Sequence, residues 1–142
     1  MSQDNKQLAL DHFKRINEGD IAGAATLLAE DCVNHAALPE AQGRKGFEMI
    51  INKVRTAFPD MRHSVEDVLA DGDRVVVRTI ATGTQTGPFT FIRLEGPPSG
   101  KPVKFEQIHI LRFAGGKIVE HWMEQDHLAF MRQLDLKVAP RT

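Results

Sequence analysis

The stretch HSVEDVLADGDRVVVRTIATGTQ, residues 63–85, decides the fold class of this chain. Two runs rich in β-branched residues flank the dipeptide Asp71–Gly72, and Asp-Gly between such runs is a strong signal for a β-hairpin. We therefore expect two antiparallel strands that follow each other directly. The hairpin also indicates that the second half of the chain forms a meandering sheet.

Three helical segments are expected before this hairpin. The first covers residues 6–17, where apolar side chains recur near one face. Asp20 is a good N-cap for a second helix over Ile21–Ala29. A third helix is expected over Lys45–Ala57, and Pro59 ends it.

Strands and a closing helix are expected after the hairpin. A Pro/Gly loop precedes a strand over Val103–Phe113, and the tight turn AGG leads into the next strand. A last helix is expected from about Asp126 to Leu134. Helices first and a sheet afterwards predict an α+β fold whose helices cover one face of the sheet. The length suits a single domain over residues 1–142.

The composition argues against several classes of protein. The chain has 142 residues, of which 42% are hydrophobic and 26% charged, and its formal net charge is −1. This balance gives no field that favours nucleic acid or a membrane surface. The single cysteine, Cys32, cannot form an internal disulfide. The polar start MSQDNKQ does not resemble a signal peptide, so we expect a cytoplasmic protein.

Two polar residues lie in the middle of an apolar strand face. Because side chains alternate across a strand, Gln107 and His109 share a face with Phe105 and Leu111. Burying an amide and an imidazole there costs a few kcal/mol unless both are hydrogen-bonded. Two interpretations stay open: a cavity that holds a ligand or water, or a buried pair bonded to the backbone or to each other.

The next strand adds a second imidazole to this face. Val119, His121 and Met123 share one side of it, and the short turn suggests that His121 faces His109 across the sheet. Two imidazoles and an amide beside apolar walls are typical of a ligand pocket. A metal site usually needs three or four ligands, so we expect no metal here. The walls of the expected pocket are Phe105, Leu111 and Val119.

The four other histidines carry weaker signals. His35 lies in an apolar-flanked loop, where it could be a rim residue of the pocket or a plain loop residue. His63 and His127 are expected at the surface. His12 lies beside the apolar stripe of the first helix, so we expect a structural role for it.

Four pieces of the sequence resemble the SnoaL-like polyketide cyclases. They are ATGTQTGPF, GPPSGKPVKF, IHILRFAGGKIVEHW and DHLAFMRQLDL, and they occur in the family's order over nearly the whole chain. The resemblance implies a cone-shaped α+β fold, shared with nuclear transport factor and ketosteroid isomerase. In that fold N-terminal helices pack on a strongly curved, mixed but mainly antiparallel sheet that encloses a pocket.

The resemblance also implies a reaction. The best-understood members of the family close a ring of an aromatic polyketide ester by an intramolecular aldol step, without metal or organic cofactor. A carboxylate two residues after the histidine of a His-Trp pair moves the proton, and a Gln-x-His pair helps to hold the enolate. Gln107 and His109 match the second pair, and His121 and Trp122 match the first.

Two positions depart from the family pattern. Met123 stands at the position of the catalytic aspartate, and a methionine offers flexible apolar surface but cannot transfer a proton. Gln85 stands where the family usually has histidine. Asp126 matches a separate family aspartate just before the last helix, where we expect it to cap that helix.

A small-molecule protein with a mostly apolar pocket for a hydrophobic carbonyl compound is the favoured interpretation. His121 is the candidate acid and base, because an imidazole with a pKa of about 6.5 can move a proton at neutral pH. Gln107 and His109 would stabilise negative charge on a carbonyl oxygen. The expected substrate-binding residues are Met123, Phe105, Leu111, Val119, His35 and Gln85.

Other functions stay open. Met123 favours a non-catalytic binding or accessory protein that kept the pocket. A hydrolase of the epoxide-hydrolase type would need inward acids beside Arg78, and no such pair is obvious. A structural dimer module is a further alternative. The alternation also leaves Ile108, Ile110 and Trp122 on the face opposite the pocket, and such an apolar patch predicts a homodimer or homotetramer.

Overall fold

The computed structural model describes residues 2–91 and 94–136. Four α-helices and seven strands are present in this part of the chain. The helices are α1 (Ser2–Asn17), α2 (Ile21–Ala25), α3 (Gly43–Ala57) and α4 (His127–Gln133), with a 3-10 turn at Pro39–Ala41. The strands are β1 (Leu28–Asn34), β2 (Arg62–Asp71), β3 (Arg74–Thr84), β4 (Phe89–Phe91), β5 (Leu94–Gly96), β6 (Pro102–Ala114) and β7 (Lys117–Gln125).

Five strands form one curved, mixed sheet that does not close on itself, in the order β1-β7-β6-β3-β2. Strand β1 runs parallel to β7, and the other neighbours are antiparallel. Strands β4 and β5 form a separate two-stranded ribbon. The expected α+β fold with N-terminal helices on a mainly antiparallel sheet is confirmed. None of the described helices has the length and hydropathy that crossing a bilayer requires.

The hairpin expected at Asp71–Gly72 is present between β2 and β3. Asp71 pairs with Arg74, so the two residues between them form the turn. Gly72 has a φ of +60°, a conformation that glycine adopts without steric cost. The turn fixes the register of β2 against β3 as far as Asp67, where a bulge shifts it by one residue, and β6 pairs along the whole length of β3.

The second helix is shorter than expected, because a strand follows it. Helix α2 ends at Ala25 rather than Ala29, and β1 begins at Leu28. Leu28 and Cys32 are buried in the core, and β1 gains backbone hydrogen bonds to β7. This pairing joins segments about 90 residues apart, so no local sequence pattern predicts it. Long-range pairing has overridden a local helical signal here.

A bulge in β7 changes the expected side-chain alternation. Leu111 pairs with His121, but Phe113 pairs with Ile118, so one extra residue lies on β7 between these pairs. Ile118 is therefore the residue buried in the core, at 1% exposure, and the expectation that Val119 holds this inward position is wrong. His121 keeps its inward position beyond the bulge.

The inner face of the sheet, which packs against the helices, carries two apolar clusters. Val75 and Val77 of β3 belong to the first, and Ala81 belongs to the second. Thr79 lies between them and is completely buried. Further buried or half-buried polar side chains lie on α1, β2, β6 and β7. We call them the polar layer, which consists of His12, His63, Thr79, Gln107, His109 and His121.

His63 is buried, so its expected surface position is wrong. It pairs with Ala81 on β3, and its exposure is 8%. The register shift between Val65 and Asp67 gives His63 its pairing with Ala81, and α1 packs against β2 beside it. His12 is buried on α1, where Nδ1 lies 3.0 Å from the carbonyl oxygen of Ala24, in line with a structural role. His127 is exposed, as expected.

Candidate functional site

A continuous chain of hydrogen bonds runs through the polar layer. Thr79 Oγ1 donates to Gln107 Oε1 over 3.2 Å, and His109 Nε2 lies 3.0 Å from the same oxygen. His109 Nδ1 lies 2.9 Å from His121 Nε2. The other end of the amide is used as well, since Gln107 Nε2 donates to Gln125 Oε1 over 2.9 Å. Gln107, His109 and His121 are therefore joined in one hydrogen-bonded chain, and Gln107 and His109 form the buried, mutually bonded pair that was one of the two open interpretations.

The direction of these bonds determines where the hydrogens lie. An amide oxygen only accepts, so the His109 Nε2 that contacts Gln107 Oε1 must carry a hydrogen. In a neutral ring the opposite nitrogen, His109 Nδ1, then accepts, and His121 Nε2 donates to it. His121 Nδ1 is left as a lone pair. The amide orientation of Gln107 thus sets the tautomers of both imidazoles.

Burial keeps the histidines of the polar layer neutral at pH 7. Desolvation lowers the pKa of His109 well below its usual value, and the nearby imidazole of His121 lowers it further. Desolvation also lowers the pKa of His121 to about 3 and that of His63 to about 4. The pKa of His12 is lowered to about 4 for the same reason. His121 is therefore a much weaker base in the resting protein than an unperturbed imidazole.

Met123 lies opposite His109. The two residues pair directly across the ladder of β6 and β7, and His121 is the diagonal neighbour of His109. His121 therefore pairs directly not with His109, as expected, but with Leu111, two residues along β6. Met123 is half-buried, and it also borders a groove on the other face of the sheet. It puts a thioether at the position where the family resemblance implies a proton-transferring carboxylate.

The expected apolar walls lie on both sides of the polar layer. Leu111 belongs to the first apolar cluster, and Phe105 belongs to the second. The ring of Phe105 packs edge-on against Phe130 of α4, with 5.1 Å between the centroids. Val119 is half-buried at the bulge and belongs to neither cluster. Only Phe105 and Leu111 flank the polar layer as expected.

Gln85 lies outside the polar layer and holds a loop. It is 3% exposed, and its Oε1 accepts from Ser99 Oγ over 2.7 Å. Its Nε2 donates to the carbonyl oxygen of Pro97 over 3.1 Å. The backbone of Gln85 bonds to Gly100 and Lys101 as well. These bonds occupy the side chain, so the structure does not bring it to Gln107, His109 and His121.

His35 lies on the outer face of the sheet, away from the polar layer. Its ring stacks on Trp122 with 4.8 Å between the centroids, and its Nε2 lies 2.7 Å from Glu120 Oε2. The guanidinium of Arg74 lies 4.9 Å from the centre of the same indole. A groove of about 480 Å³ is found here. We call it the outer groove; it is lined by His35, Ala36, Arg74, Ile108, Ile110, Trp122, Met123 and Glu124.

Arg78 also lies on the outer face. It donates to Asp67 over 2.6 Å and to Glu106 over 3.4 Å, and all three side chains are substantially exposed. An acid-arginine-acid arrangement is therefore present, but it faces away from the interior. The water-activating group that an epoxide hydrolase needs inside its pocket is not formed by these residues.

Thr79 of the polar layer and its neighbour Gln125 were not found from the sequence. Thr79 could have been found by strand alternation, because it lies between Val77 and Ala81 on the buried face of β3. Gln125 carries no local signal, since its role depends on the pairing of Gln107 with Gln125 across the ladder. Among the described residues, no group of three or more His, Cys, Asp or Glu side chains is arranged to hold a metal ion.

Asp126 caps the last helix, as expected. Its Oδ1 accepts from the backbone nitrogen of Ala129 over 3.0 Å, which satisfies one of the free amides of the first turn of α4. Its backbone nitrogen donates to the carbonyl oxygen of Glu106, which fixes the start of α4 against β6. Asp126 therefore has a structural role beside the site.

Comparisons with known proteins agree with this fold. The family model for SnoaL-like polyketide cyclases matches residues 7–134. The aklanonic acid methyl ester cyclase DauD of Streptomyces sp. (strain C5) is 28% identical over 122 residues, which cover 83% of this chain and 73% of that enzyme. The structure is similar to TsrD from Streptomyces laurentii, with a TM-score of 0.82, 27% identity, and coverage of 94% of this chain and 96% of TsrD. It is also similar to IdmH from Streptomyces antibioticus, with a TM-score of 0.75, 28% identity, and coverage of 92% of this chain and 97% of IdmH. The chain therefore belongs to the SnoaL-like polyketide cyclase family.

Proposed function

We propose that this protein is a cofactor-independent cyclase or isomerase that acts on a hydrophobic carbonyl compound between the helices and the inner face of the sheet. The observation that carries the proposal is the bonded chain of Gln107, His109 and His121 between two apolar clusters. The family and its relative, the aklanonic acid methyl ester cyclase, support an aromatic polyketide ester as the substrate class. A single domain over residues 1–142 is part of this proposal.

The proposed reaction is an intramolecular aldol closure. His121 Nδ1, which holds a lone pair, takes the proton from the carbon next to a substrate carbonyl, and the enolate carbon then attacks a second carbonyl within the same molecule. The imidazolium returns the proton to the new alkoxide, so that substrate and product are isomers. One hydrogen of Gln107 Nε2 is not used in the bond to Gln125 and is available to the developing negative charge on oxygen.

A non-catalytic binding protein of the same fold is the second candidate. Two observations favour it: Met123 cannot move a proton, and burial lowers the pKa of His121 to about 3. An imidazole with so low a pKa abstracts a proton from carbon slowly at neutral pH. The apolar clusters on both sides of the polar layer would still suit a hydrophobic ligand with a few polar groups.

A homodimer or homotetramer, paired through the outer face of the sheet, completes the proposal. Ile108 is 48% exposed there and lies beside the Ile110–Trp122 pair in the outer groove. An exposed apolar patch on a sheet favours association. Light scattering on the purified chain at micromolar concentration would detect a species of at least twice the mass of the chain. A monomer at that concentration contradicts this part.

The test of the activity uses aklanonic acid methyl ester as the substrate. The expected result is an isomer of unchanged mass with a new retention time in liquid chromatography. When the reaction is run in heavy water, deuterium should also enter at the carbon next to the reacting carbonyl. The variant His121→Asn should lose both signals, because its amide has no basic nitrogen. Binding without isomer and without deuterium exchange leaves the second candidate and excludes the first.

A further inference from the structure

His63 has a buried nitrogen without a partner. Among the described residues, its Nδ1 is the buried side-chain atom that makes no hydrogen bond. The residue is 8% exposed and lies on the inner face of β2 beside Phe13, with 6.3 Å between the ring centroids. An unsatisfied buried polar atom is unusual, because it loses its hydrogen bonds to water and gains none in return.

Two hydrogen bonds hold the backbone of His63 in place. Asn17 Nδ2 donates to the carbonyl oxygen of His63 over 2.8 Å, and the His63 backbone nitrogen donates to Asn17 Oδ1 over 2.7 Å. A single side-chain amide from the end of α1 therefore takes the place of a neighbouring strand. The backbone is fixed while the ring nitrogen stays free, which is the arrangement expected of a preorganised binding group.

The position of His63 relates it to the proposed site. His63 pairs with Ala81, two residues along β3 from Thr79, whose hydroxyl bonds to Gln107. Burial lowers the pKa of the His63 ring to about 4, the Gln107 side chain acts in the opposite direction, and the charge of Arg55 lowers the pKa further. The ring is neutral at pH 7, so it offers a hydrogen bond without the cost of a buried charge.

We propose that Nδ1 of His63 accepts a hydrogen bond from a hydroxyl group of the substrate inside the polar layer, which makes His63 a binding residue beside the Gln107–His109–His121 chain. This role depends on one part of the proposed function, namely that the substrate binds in the interior. His63 moves no proton in the reaction. The free nitrogen is left unsatisfied in the ligand-free protein and is satisfied when the substrate hydroxyl group arrives.

The first test measures the ligand-free protein. His63→Phe removes the unsatisfied nitrogen and fills its space, so Tm should stay equal or rise by a few degrees. His12→Phe is the matched control, because the Nδ1 atom of His12 already contacts the Ala24 carbonyl oxygen. This control should lower Tm. If His63→Phe lowers Tm as His12→Phe does, a bound water already satisfies the nitrogen and the proposal is overturned.

The second test measures binding. With 1,8-dihydroxyanthraquinone, a hydrophobic polycyclic ketone, as the probe, His63→Phe should weaken affinity in calorimetry about tenfold relative to the unmodified protein. His63→Gln, which keeps a polar group, should recover part of the loss. Equal affinity of His63→Phe and the unmodified protein overturns the proposal, as does the absence of any binding to the unmodified protein. Binding with no turnover of aklanonic acid methyl ester would remove the cyclase activity and leave the role of His63 intact.

Discussion

His109 Nδ1 lies 2.9 Å from His121 Nε2, between two apolar clusters. Because the other nitrogen of His109 contacts the amide oxygen of Gln107, the hydrogen of this bond belongs to His121. The Gln107 amide therefore determines which nitrogen of each neutral imidazole carries the hydrogen. Protonating His109 at Nδ1 would remove the acceptor of this bond, and charging any of the buried imidazoles costs free energy, so the site and the stability of the fold both depend on pH.

Acid should destabilise this protein while its carboxylates are still ionised. The folded pKa values of His12 and His63 are about 4 and that of His121 is about 3, whereas an unfolded histidine titrates near 6.5. Below about pH 6.5 the unfolded chain binds protons that the folded chain does not, so stability is present above that pH and is lost as pH falls towards 4. Each of these groups contributes a slope of about 1.4 kcal/mol per pH unit in this window.

Urea unfolding at pH 7, 6 and 5 checks this expectation. The free energy of unfolding should fall steadily over the series. His12→Phe should reduce the slope, because one titrating group is removed. A free energy of unfolding that is the same at pH 7 and pH 5 would contradict the neutral, buried state of these rings.

Gln107 should control the proton affinity of the two imidazoles. Gln107→Glu places a carboxylate 3 Å from His109 Nε2, and a nearby negative charge favours the imidazolium. The pKa of His109 should rise in this variant, measured by NMR titration of the imidazole signals. Gln107→Leu is the control: it adds no charge, leaves His109 and Thr79 without their acceptor, and should cost about 1–3 kcal/mol of stability. An unchanged His109 titration in Gln107→Glu would show that the amide does not set the tautomers.

Strand alternation correctly predicted that Gln107 and His109 share a buried strand face. Gln107 and His109 lie two residues apart on one strand, so their shared face follows from the pleat alone. The hairpin at Asp71–Gly72 follows equally from local turn chemistry. Val119 was placed wrongly because the bulge in β7 arises from the fit between two strands, and no glycine marks it in the sequence.

Burial of His63 depends on contacts that a sequence pattern does not contain. Its neighbours on β2 are polar, and it is covered because Asn17 at the end of α1 binds its backbone. Likewise, β1 is a strand because it pairs with β7, whereas its local sequence favours a helix. The loop position of His35 allowed either a pocket-rim or a plain loop role, and in the structure the ring stacks on Trp122 at the outer face. In each case a distant partner decides the position.

Removing the N-cap of α4 should destabilise this helix, which packs against Phe105. Asp126→Ala leaves the Ala129 amide without its acceptor, and loss of such a cap typically costs about 1 kcal/mol. Thermal unfolding should show a lower Tm for this variant, and Asp126→Asn should keep most of the stability because its oxygen still accepts. Turnover should change little in both variants. A loss of turnover in Asp126→Asn at unchanged Tm would instead indicate that the carboxylate takes part in the chemistry.

Restoring the family carboxylate should create or raise cyclase activity. Met123 lies directly opposite His109 on the ladder, so Met123→Asp places an acid beside the bonded imidazoles. A carboxylate there can move a proton in the transition state, and a well-placed general acid or base is worth about a hundred- to ten-thousand-fold in rate. Its charge should also raise the pKa of the neighbouring imidazoles. The measurement is the rate of isomer formation from aklanonic acid methyl ester, with Met123→Asn as the control of equal size that cannot transfer a proton. If Met123→Asp folds normally and is no faster than Met123→Asn, the residue at 123 does not limit the chemistry. If His121→Asn in addition leaves any native activity unchanged, the cyclase mechanism is excluded and the binding function is retained.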